Sequence, residues 1–357
     1  MTRVLGIETS CDETSIALLD GTGDAVTLRS LVILSQDVHG IFGGVVPELA
    51  SRAHLTAIEP VLRRTLAEAD AELSSVDAVA VTVGPGLVGA LLVGVCFGKA
   101  LAYAMDRPLV GVHHMEGHLF ATSLEHADAV PPFTALLVSG GHTMIVDVEA
   151  WGRYRVLGRT RDDAAGEAFD KVAKLLDLPY PGGPHLERLA RGGQRNAVRF
   201  ARPMLRRDQR PGDPDYFDVS FSGLKTAVLN QRKASEAGAD QSSAKASAES
   251  WVPADVALAF QDALVDTLVA KTARAVEHLG RERVVLGGGV ACNRALVDAM
   301  RERVATLGAQ VYAPSGRLAT DNAAMIARAG LFHFERGHRA GLDLNAHASL
   351  SLPGLIA

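Results

Sequence analysis

The sequence predicts an α/β protein built from two mixed β-sheet units with helices on their faces. Residues 3–20 and 132–150 each contain an apolar run, a small polar turn and a second apolar run, the pattern of two strands joined by a turn. A third apolar run at 283–287 passes through glycines into a helical pattern. Strands alternating with helices indicate sheets covered by helices. We therefore expect two similar sheet units with a cleft between them.

The remaining elements of the first unit follow in chain order. A helical segment is predicted from about Pro47 to Ala69, followed by the strand "VDAVAVTVGPG". The apolar stretch 86–105 is predicted to be a helix under a sheet. Its many glycines and Lys99 favour that over a membrane span. The strand "PLVGVH" at 108–113 comes next.

The second unit contains an amphipathic helical segment and a segment of unusual composition. Residues 162–184 carry Asp170 and Lys171 on the predicted helix, which ends in a Pro/Gly turn. Residues 231–250 are rich in Ala, Ser and charge and show no apolar periodicity. We predict a flexible insertion there rather than a domain.

Composition limits the cellular setting. The 357 residues are 48% hydrophobic, enough to fill the cores of two units. A net charge of −5 means that any contact with nucleic acid must come from a local patch. Three separated cysteines without a CxxC motif suit a reducing cytosol. The N-terminus lacks the pattern of a signal peptide, so we expect a cytoplasmic protein without a membrane association.

The stretch "GVHHMEGHLFA", residues 111–121, is the strongest chemical signal. His114 and His118 are four residues apart, which puts both imidazoles on one face of a helix. Ordinary histidines remain an alternative, but the pair beside an acid favours a metal site. The zinc-protease motif HExxH is not matched. Glu116 lies about 200° round a helix from His114, so it is poorly placed as a general base for metalloprotease chemistry.

A metal site needs a further ligand, and the sequence offers many acids. Asp321, in "ATDNAAMIA" at 319–327, stands at the mouth of a helix. The alternative is that Asp321 or Thr320 caps this helix. Spacing alone does not select Asp321 from the other acids.

Three turns made of small residues indicate a phosphate-bearing ligand. Turns of Gly, Ser and Thr after strands allow backbone N–H groups to approach phosphates closely. The sequence contains neither a Walker A motif nor GxGxxG, which disfavours the P-loop and Rossmann folds. The three turns together suggest a nucleotide held between two lobes.

Eight arginines occur between Arg188 and Arg210, against a single acid, Asp208. Several recur at intervals of three or four residues. This stripe is either a solvated face or a contact for a phosphate backbone, and the sequence supports both equally.

The motifs taken together resemble the TsaD/Gcp family, formerly called O-sialoglycoprotein endopeptidases. The matching stretches are "GIETSCDETS", "HMEGH", "LVSGGHT", "GEAFDKVAKLLDLPYPGGP", "FSGLKTAV", "GGGVACN" and "TDNAAMIA". They occur in the family's order, from Val4 to about Ala329. Members of this family are threonylcarbamoyltransferases that modify the adenosine 3′-adjacent to the tRNA anticodon, position 37.

The resemblance implies a fold and a metal site. The fold is that of the actin-like/sugar-kinase ATPase superfamily, with two ribonuclease H-like lobes around a central cleft. Residues 1–129, completed by 326–357, would form the N-terminal lobe, and 130–325 the C-terminal lobe. The resemblance assigns one divalent ion to His114, His118 and Asp321. Iron(II) is the first choice, with zinc or magnesium as alternatives.

The resemblance also implies the substrates, partners and contacts. The donor is threonylcarbamoyl-AMP, the acceptor is tRNA, and the partner subunits are TsaB and TsaE. The first turn supplies Asp12 and Glu13 as candidates for proton handling. At one contact position the family often has Asp. This sequence has Glu187 there, and its side chain is longer by one methylene group. The implied substrate contacts are Leu137, Val138, Ser139, Gly140, Gly141, Asp170, Gly183, Glu187 and Asn293.

Two other functions remain as alternatives at this point. An ATP-dependent small-molecule kinase of the same fold would have no use for the HMEGH motif. A non-catalytic scaffold related to the partner subunit would have no reason to keep a full set of metal ligands.

Overall fold

The computed structural model describes residues 1–206, 208–239 and 251–355, which fall into two units. Unit 1 comprises Met1–Pro131, Glu149–Tyr154 and the chain from Tyr312 onward. Unit 2 comprises Pro132–Val148 and Arg155–Val311. The chain thus returns to unit 1 earlier than residue 326. Asp321 consequently belongs to the same unit as His114 and His118.

The described residues contain ten strands and ten α-helices. In chain order the strands are β1 (Thr2–Glu8), β2 (Glu13–Thr22), β3 (Ala25–Ser35), β4 (Ala78–Gly84), β5 (Leu109–His113), β6 (Phe133–Val138), β7 (Thr143–Ala150), β8 (Arg153–Arg159), β9 (Arg283–Gly287) and β10 (Gln310–Tyr312). The helices are α1 (Pro47–Glu68), α2 (Val88–Met105), α3 (His114–Ala121), α4 (Ala165–Leu175), α5 (Gly182–Ala190), α6 (Ser222–Ala239), α7 (Pro253–Leu279), α8 (Arg294–Ala305), α9 (Gly316–Ala319) and α10 (Ala323–Glu335).

Each unit contains a five-stranded mixed sheet. The first has the order β3-β2-β1-β4-β5, with β1 antiparallel to β2 and parallel to β4. The second has the order β10-β9-β6-β7-β8, with β6 antiparallel to β7 and parallel to β9. The pairs β1–β2 and β6–β7 are the two strand–turn–strand units predicted at residues 3–20 and 132–150. The prediction of an α/β fold with two similar mixed sheets is confirmed.

The sheet of unit 1 is apolar on both faces. Leu5 and Ile7 of β1 belong to one buried cluster with Leu91 of α2. Val4 belongs to a second cluster with Phe120 of α3 and Ile326 of α10. Alternate residues of a strand point to opposite faces, so one strand serves both clusters.

Helix α10 lies unusually close to the sheet at Gly6. A Cβ atom on Gly6 would stand 2.3 Å from the carbonyl oxygen of Ala323 and 2.7 Å from the nitrogen of Ala327. One at Gly330, on the helix, would stand 2.4 Å from the Cβ of Ala80. Glycine on both elements therefore permits the helix backbone to rest directly on the strands.

Helix α2 is long and apolar enough to cross a membrane by length and composition alone. It buries Leu91, Val95 and Ala102, and it packs against β4 and α1. This packing matches the predicted helix under a sheet. Val88, Leu92 and Tyr103 remain exposed on α2.

The predicted insertion begins inside a helix. Residues 231–239 continue α6, although they show no apolar periodicity. Polar residues with good helix propensity occupy this end of α6, and Arg232 pairs with Glu236 one turn later, 3.0 Å apart. The rest of the predicted insertion, residues 240–250, lies outside the described residues.

Candidate metal centre and substrate-binding residues

Helix α3 holds the two predicted histidine ligands. It begins at His114, immediately after strand β5, and His113 caps it by accepting a hydrogen bond from the Met115 N–H at 3.2 Å. The rings of His114 and His118 are buried and meet edge to face with centroids 4.9 Å apart. The predicted placement on one helix face is therefore present.

Asp321 completes the group from the residue before the cap of α10. Its Oδ1 lies 3.2 Å from His118 Nε2 and 3.4 Å from His114 Nε2. The cap of α10 is Asn322, whose side-chain oxygen accepts from the Met325 N–H at 3.1 Å. The alternative that Asp321 or Thr320 caps the helix is wrong, because the neighbouring amide performs that task.

The three donor atoms could hold one metal ion. They all lie within 4.8 Å of one another. Ligand atoms about 2.1 Å from a shared ion stand roughly 3–3.5 Å apart at ordinary coordination angles, close to the two distances measured from Asp321. Two imidazoles and one carboxylate suit iron(II) or zinc.

Glu8 lies behind His114, and the sequence did not predict it as a site residue. It ends strand β1 and is fully buried. Its Oε2 lies 3.1 Å from His114 Nδ1 and accepts from the Thr82 hydroxyl at 2.7 Å. The Ser10 N–H donates to Oε1 at 2.5 Å. A lone acid at the end of an apolar strand was the available sequence signal.

Charges in this group shift the pKa values strongly. Burial works against ionisation of Asp321, but the charges and hydrogen bonds of His114 and His118 outweigh it and lower its pKa. Burial likewise disfavours charged His114, yet Asp321 and Glu8 raise its pKa well above the ordinary value. The carboxylates of Asp321 and Glu8 therefore favour a positive charge at His114.

Glu116 contacts other residues of unit 1. It is fully buried and accepts from the Tyr154 hydroxyl at 2.8 Å. Its second oxygen lies 2.7 Å from His333 Nε2, on α10. This geometry agrees with the prediction that Glu116 does not stand beside the two ligands as a general base.

Asp12 lies in the turn between β1 and β2, and Glu13 is the first residue of β2. Burial, followed by the charges of Asp321 and Asp12, raises the pKa of Glu13 well above its ordinary value. The turn is held by His54 of α1, another residue that sequence reasoning missed. His54 Nε2 donates to the Cys11 carbonyl at 2.9 Å, and its Nδ1 accepts from the Thr14 hydroxyl at 2.8 Å.

The next predicted substrate contacts lie in the second strand–turn–strand unit, β6–β7. Leu137 and Val138 are buried at the end of β6. Ser139 closes the turn, since its N–H donates to the His142 carbonyl at 2.8 Å. Gly140 and Gly141 are exposed, and a Cβ on either would meet nothing within 4 Å. Their backbone is thus accessible to a ligand.

Asp170 has a structural partner in addition to its predicted role. Its Oδ1 accepts from the Gly182 N–H at 2.7 Å and thereby holds the start of α5 against α4. A Cβ on Gly182 would stand 2.4 Å from the Cβ of Ala173. Gly183, by contrast, has open space where a Cβ would be. Asp170 therefore fixes the turn that presents Gly183.

Asn293 and Glu187 meet at the start of α8. Asn293 caps this helix by accepting from the Leu296 N–H at 3.0 Å, and its amide donates to Gln261 at 3.0 Å. Glu187 Oε1 accepts from the Arg294 N–H at 3.4 Å. Gln261, on α7, is a buried positioning group that no sequence motif indicated.

The arginines after α5 do not form a helical stripe. The helix ends at Ala190, and the described residues from 191 to 221 contain no helix. Gly192, Gly193, Pro203 and Pro211 explain why the spacing of three and four is not helical here.

Acids neutralise several of these arginines. Ion pairs join Arg202 to Asp266 at 2.6 Å and Arg206 to Asp215 at 3.3 Å. Arg188 and Arg199 are exposed and form no ion pair with any described residue. Arg207 lies outside the described residues.

Comparison with known proteins places the chain in a family. A family model described as "TsaD: tRNA N6-adenosine threonylcarbamoyltransferase" matches residues 27–328. A curated protein of that name from Gemmatimonas aurantiaca is 61% identical, over 99% of this chain and 98% of its own length. The chain belongs to the tRNA N6-adenosine threonylcarbamoyltransferase family. A member from Magnetococcus marinus is 50% identical, over 97% of this chain and 96% of its own length.

Solved structures show the fold that this threonylcarbamoyltransferase shares with more distant proteins. HypF from T. kodakarensis superposes with a TM-score of 0.59 at 14% identity, over 94% of this chain and 48% of that one. Component A of the Acidaminococcus fermentans (R)-2-hydroxyglutaryl-CoA dehydratase gives 0.53 at 13% identity, over 94% of this chain and 99% of that one. Both proteins share the fold of this chain, and the predicted α/β architecture with two mixed sheets is confirmed. The matched family and both curated relatives are named as threonylcarbamoyltransferases, so they support neither the kinase nor the scaffold alternative.

Proposed function

We propose that the protein transfers the threonylcarbamoyl group from threonylcarbamoyl-AMP to the exocyclic 6-amino group of adenosine 37. The acceptors are tRNAs that read codons beginning with A. The observation that carries this proposal is the joining of His114, His118 and Asp321 into one group, in a chain that matches full-length family members.

The metal-binding residues of unit 1 would hold one divalent ion, with iron(II) preferred over zinc or magnesium. Bound there, the ion would supply Lewis acidity toward the donor oxygens. Its ligands would be His114 and His118 of α3 and Asp321, two residues before α10.

The predicted contacts of unit 2 would bind and orient the donor. N–H groups of the Ser139–Gly141 turn suit the carbamoyl or phosphate oxygens, because oriented backbone donors stabilise developing negative charge. Asp170 would accept hydrogen bonds from ribose hydroxyls. Gly287, Gly288 and Gly289, with Asn293, would lie on the adenine side.

The reaction replaces a carbon–oxygen bond with a carbon–nitrogen bond and transfers one proton. The adenosine 6-amino nitrogen attacks the carbamoyl carbon, and the bond from that carbon to the phosphate oxygen breaks, so AMP leaves. The nitrogen is weakly nucleophilic because its lone pair is delocalised, and accurate placement is therefore essential. It must also lose one proton. Asp12 and Glu13 are our candidates for receiving it.

The partners follow from family membership. We propose tRNA and threonylcarbamoyl-AMP as substrates and TsaB and TsaE as protein partners, with the reaction in the cytoplasm and no membrane involved. The net charge of −5 requires a local tRNA contact, and the exposed Arg188 and Arg199 are candidates.

A reconstituted assay tests this function. Purified protein, TsaB, TsaE and the family's donor-synthesising enzyme are incubated with labelled threonine and a tRNA transcript. Label should enter tRNA that has adenosine at position 37 and should be absent from a matched transcript with guanosine there. The His118→Ala variant should give no labelled tRNA. Equal labelling of both transcripts, or none with the complete system, contradicts the proposal.

A further inference from the structure

Glu8 is a fully buried carboxylate to which the proposed reaction gives no role. It stands at the end of β1, and the three donors around it come from separate parts of unit 1. These are the Ser10 N–H, the Thr82 hydroxyl on β4 and the ring nitrogen Nδ1 of His114 on α3. A buried carboxylate is costly unless it is satisfied by such donors. Its position is therefore fixed by the sheet.

The orientation of Glu8 determines which nitrogen of His114 carries the proton. An ionised carboxylate only accepts hydrogen bonds, so Nδ1, 3.1 Å from Oε2, must be the N–H. In neutral His114 the lone pair is then on Nε2, the atom that faces Asp321. The Ser10 hydroxyl also lies 3.1 Å from Nδ1 but can donate or accept, so it fixes neither tautomer.

His118 provides the contrast within the same group. Its Nδ1 is buried and has no hydrogen-bond partner among the described residues. Of the two histidines, only His114 thus has a carboxylate at Nδ1, the ring nitrogen that faces away from Asp321.

We propose that Glu8 is a positioning residue that fixes the tautomer and ring orientation of His114 for binding a divalent ion. The inference rests on the proposed metal site and deepens it. Carboxylates behind a ligating histidine raise its basicity, and their loss commonly weakens metal binding about 10- to 100-fold.

Metal affinity tests this without the transfer reaction. Zn²⁺ binding to the full chain is measured by calorimetry for the wild type, Glu8→Gln and Glu116→Gln. Visible absorption of bound Co²⁺ reports the ligand arrangement. Glu8→Gln should bind Zn²⁺ about 10- to 100-fold more weakly and alter the Co²⁺ bands. Glu116→Gln is the matched control, since Glu116 is equally buried and lies on α3 itself. It should keep both properties.

Thr82→Val provides a milder variant in case Glu8→Gln does not fold. It removes one donor to Glu8 without touching His114, so a smaller loss of Zn²⁺ affinity is expected. The proposal is overturned if Glu8→Gln keeps the Zn²⁺ affinity and the Co²⁺ bands of the wild type. If Glu8→Gln does not fold, the same result in Thr82→Val overturns it. So does a wild type that binds no divalent ion. The two proposals can fail separately. If Glu8→Gln binds Zn²⁺ more weakly but the wild type fails to modify tRNA, the role of Glu8 is supported and the proposed transfer is rejected.

Discussion

Glu116 Oε2 and His333 Nε2 lie 2.7 Å apart and join helix α3 to helix α10. The carboxylate is fully buried, and its other oxygen accepts from Tyr154. Both helices bear on the metal group, because α3 carries the histidines and α10 follows Asp321. The acid inside the HMEGH motif therefore has a structural role separate from metal binding.

Replacement of Glu116 should reduce stability more than metal affinity. Glu116→Ala leaves the Tyr154 hydroxyl and His333 without their buried acceptor, and we expect the free energy of unfolding to fall by about 2–4 kcal/mol. Urea unfolding measures the loss, and calorimetry measures Zn²⁺ affinity in the folded variant. A loss of Zn²⁺ binding as complete as that of His114→Ala would contradict the separation of roles.

Removal of one metal ligand should abolish metal binding. His118→Ala and Asp321→Ala each leave two ligands, which do not hold a divalent ion against water. We expect no bound metal and no transfer, with an intact fold. Metal analysis of the purified variants, with circular dichroism as the check on folding, measures this. Full metal occupancy in either variant would remove that residue from the site.

Two variants separate the contact of Asp170 with the Gly182 N–H from its proposed contact with the nucleotide. Asp170→Ala should weaken threonylcarbamoyl-AMP binding by about 1.5–3 kcal/mol for each charge-assisted hydrogen bond lost. Asp170→Asn keeps an oxygen for the Gly182 N–H and should lose less affinity. Calorimetry on both variants separates the contributions. Unchanged affinity in a folded Asp170→Ala protein would leave Asp170 only the task of holding the start of α5.

Charge reversal of the unpaired arginines should weaken tRNA binding. Arg188→Glu with Arg199→Glu removes two exposed charges that no described acid neutralises. The slope of log affinity against log salt should then decrease by about 1 for each lost phosphate contact. Arg202→Glu with Arg206→Glu is the comparison pair and should have a smaller effect, because acids already neutralise these two.

Salt titrations with and without the partner subunits decide the role of the arginines. Failed subunit assembly with an unaltered slope would assign them to a protein contact. An unaltered slope with intact assembly would leave them as a solvated surface.

Lys271 should make the stability of unit 2 depend on alkaline pH. It is buried on α7 and donates to the Asp215 and Tyr216 carbonyls, and burial lowers its pKa to about 8 from 10.5. Between these values the unfolded chain binds more protons than the folded one. Stability therefore rises with pH across this window.

The free energy of unfolding of the wild type should gain about 1–3 kcal/mol relative to Lys271→Met between pH 8 and 10.5. Denaturant titrations of both proteins measure this difference. The pH dependence from titratable groups that both proteins share cancels when one free energy is subtracted from the other. A constant difference between them would mean that Lys271 keeps an ordinary pKa.

The sequence predicted features that depend on neighbours along the chain. The strand pairs, the glycine turns and the shared face of His114 and His118 follow from local periodicity. Contacts between distant segments were not predictable, because no spacing relates Glu8 to His114 or Gln261 to Asn293. Competition between neighbouring residues was also not predictable. Asn322, and not Asp321 or Thr320, caps α10, and glycines and prolines prevent a helix in the described residues between 191 and 221.

The contact between Gly6 and Ala323 has a consequence for how this protein can change. The carbonyl of Ala323 rests where a side chain of residue 6 would stand, and Asp321 is only two residues away. The distance between α10 and the sheet therefore affects the distance between the Asp321 carboxylate and the rings of His114 and His118. A single methyl group added at Gly6 would collide with the backbone of α10 and displace the helix that follows Asp321. A backbone position that performs no chemistry thus constrains the geometry of the metal group.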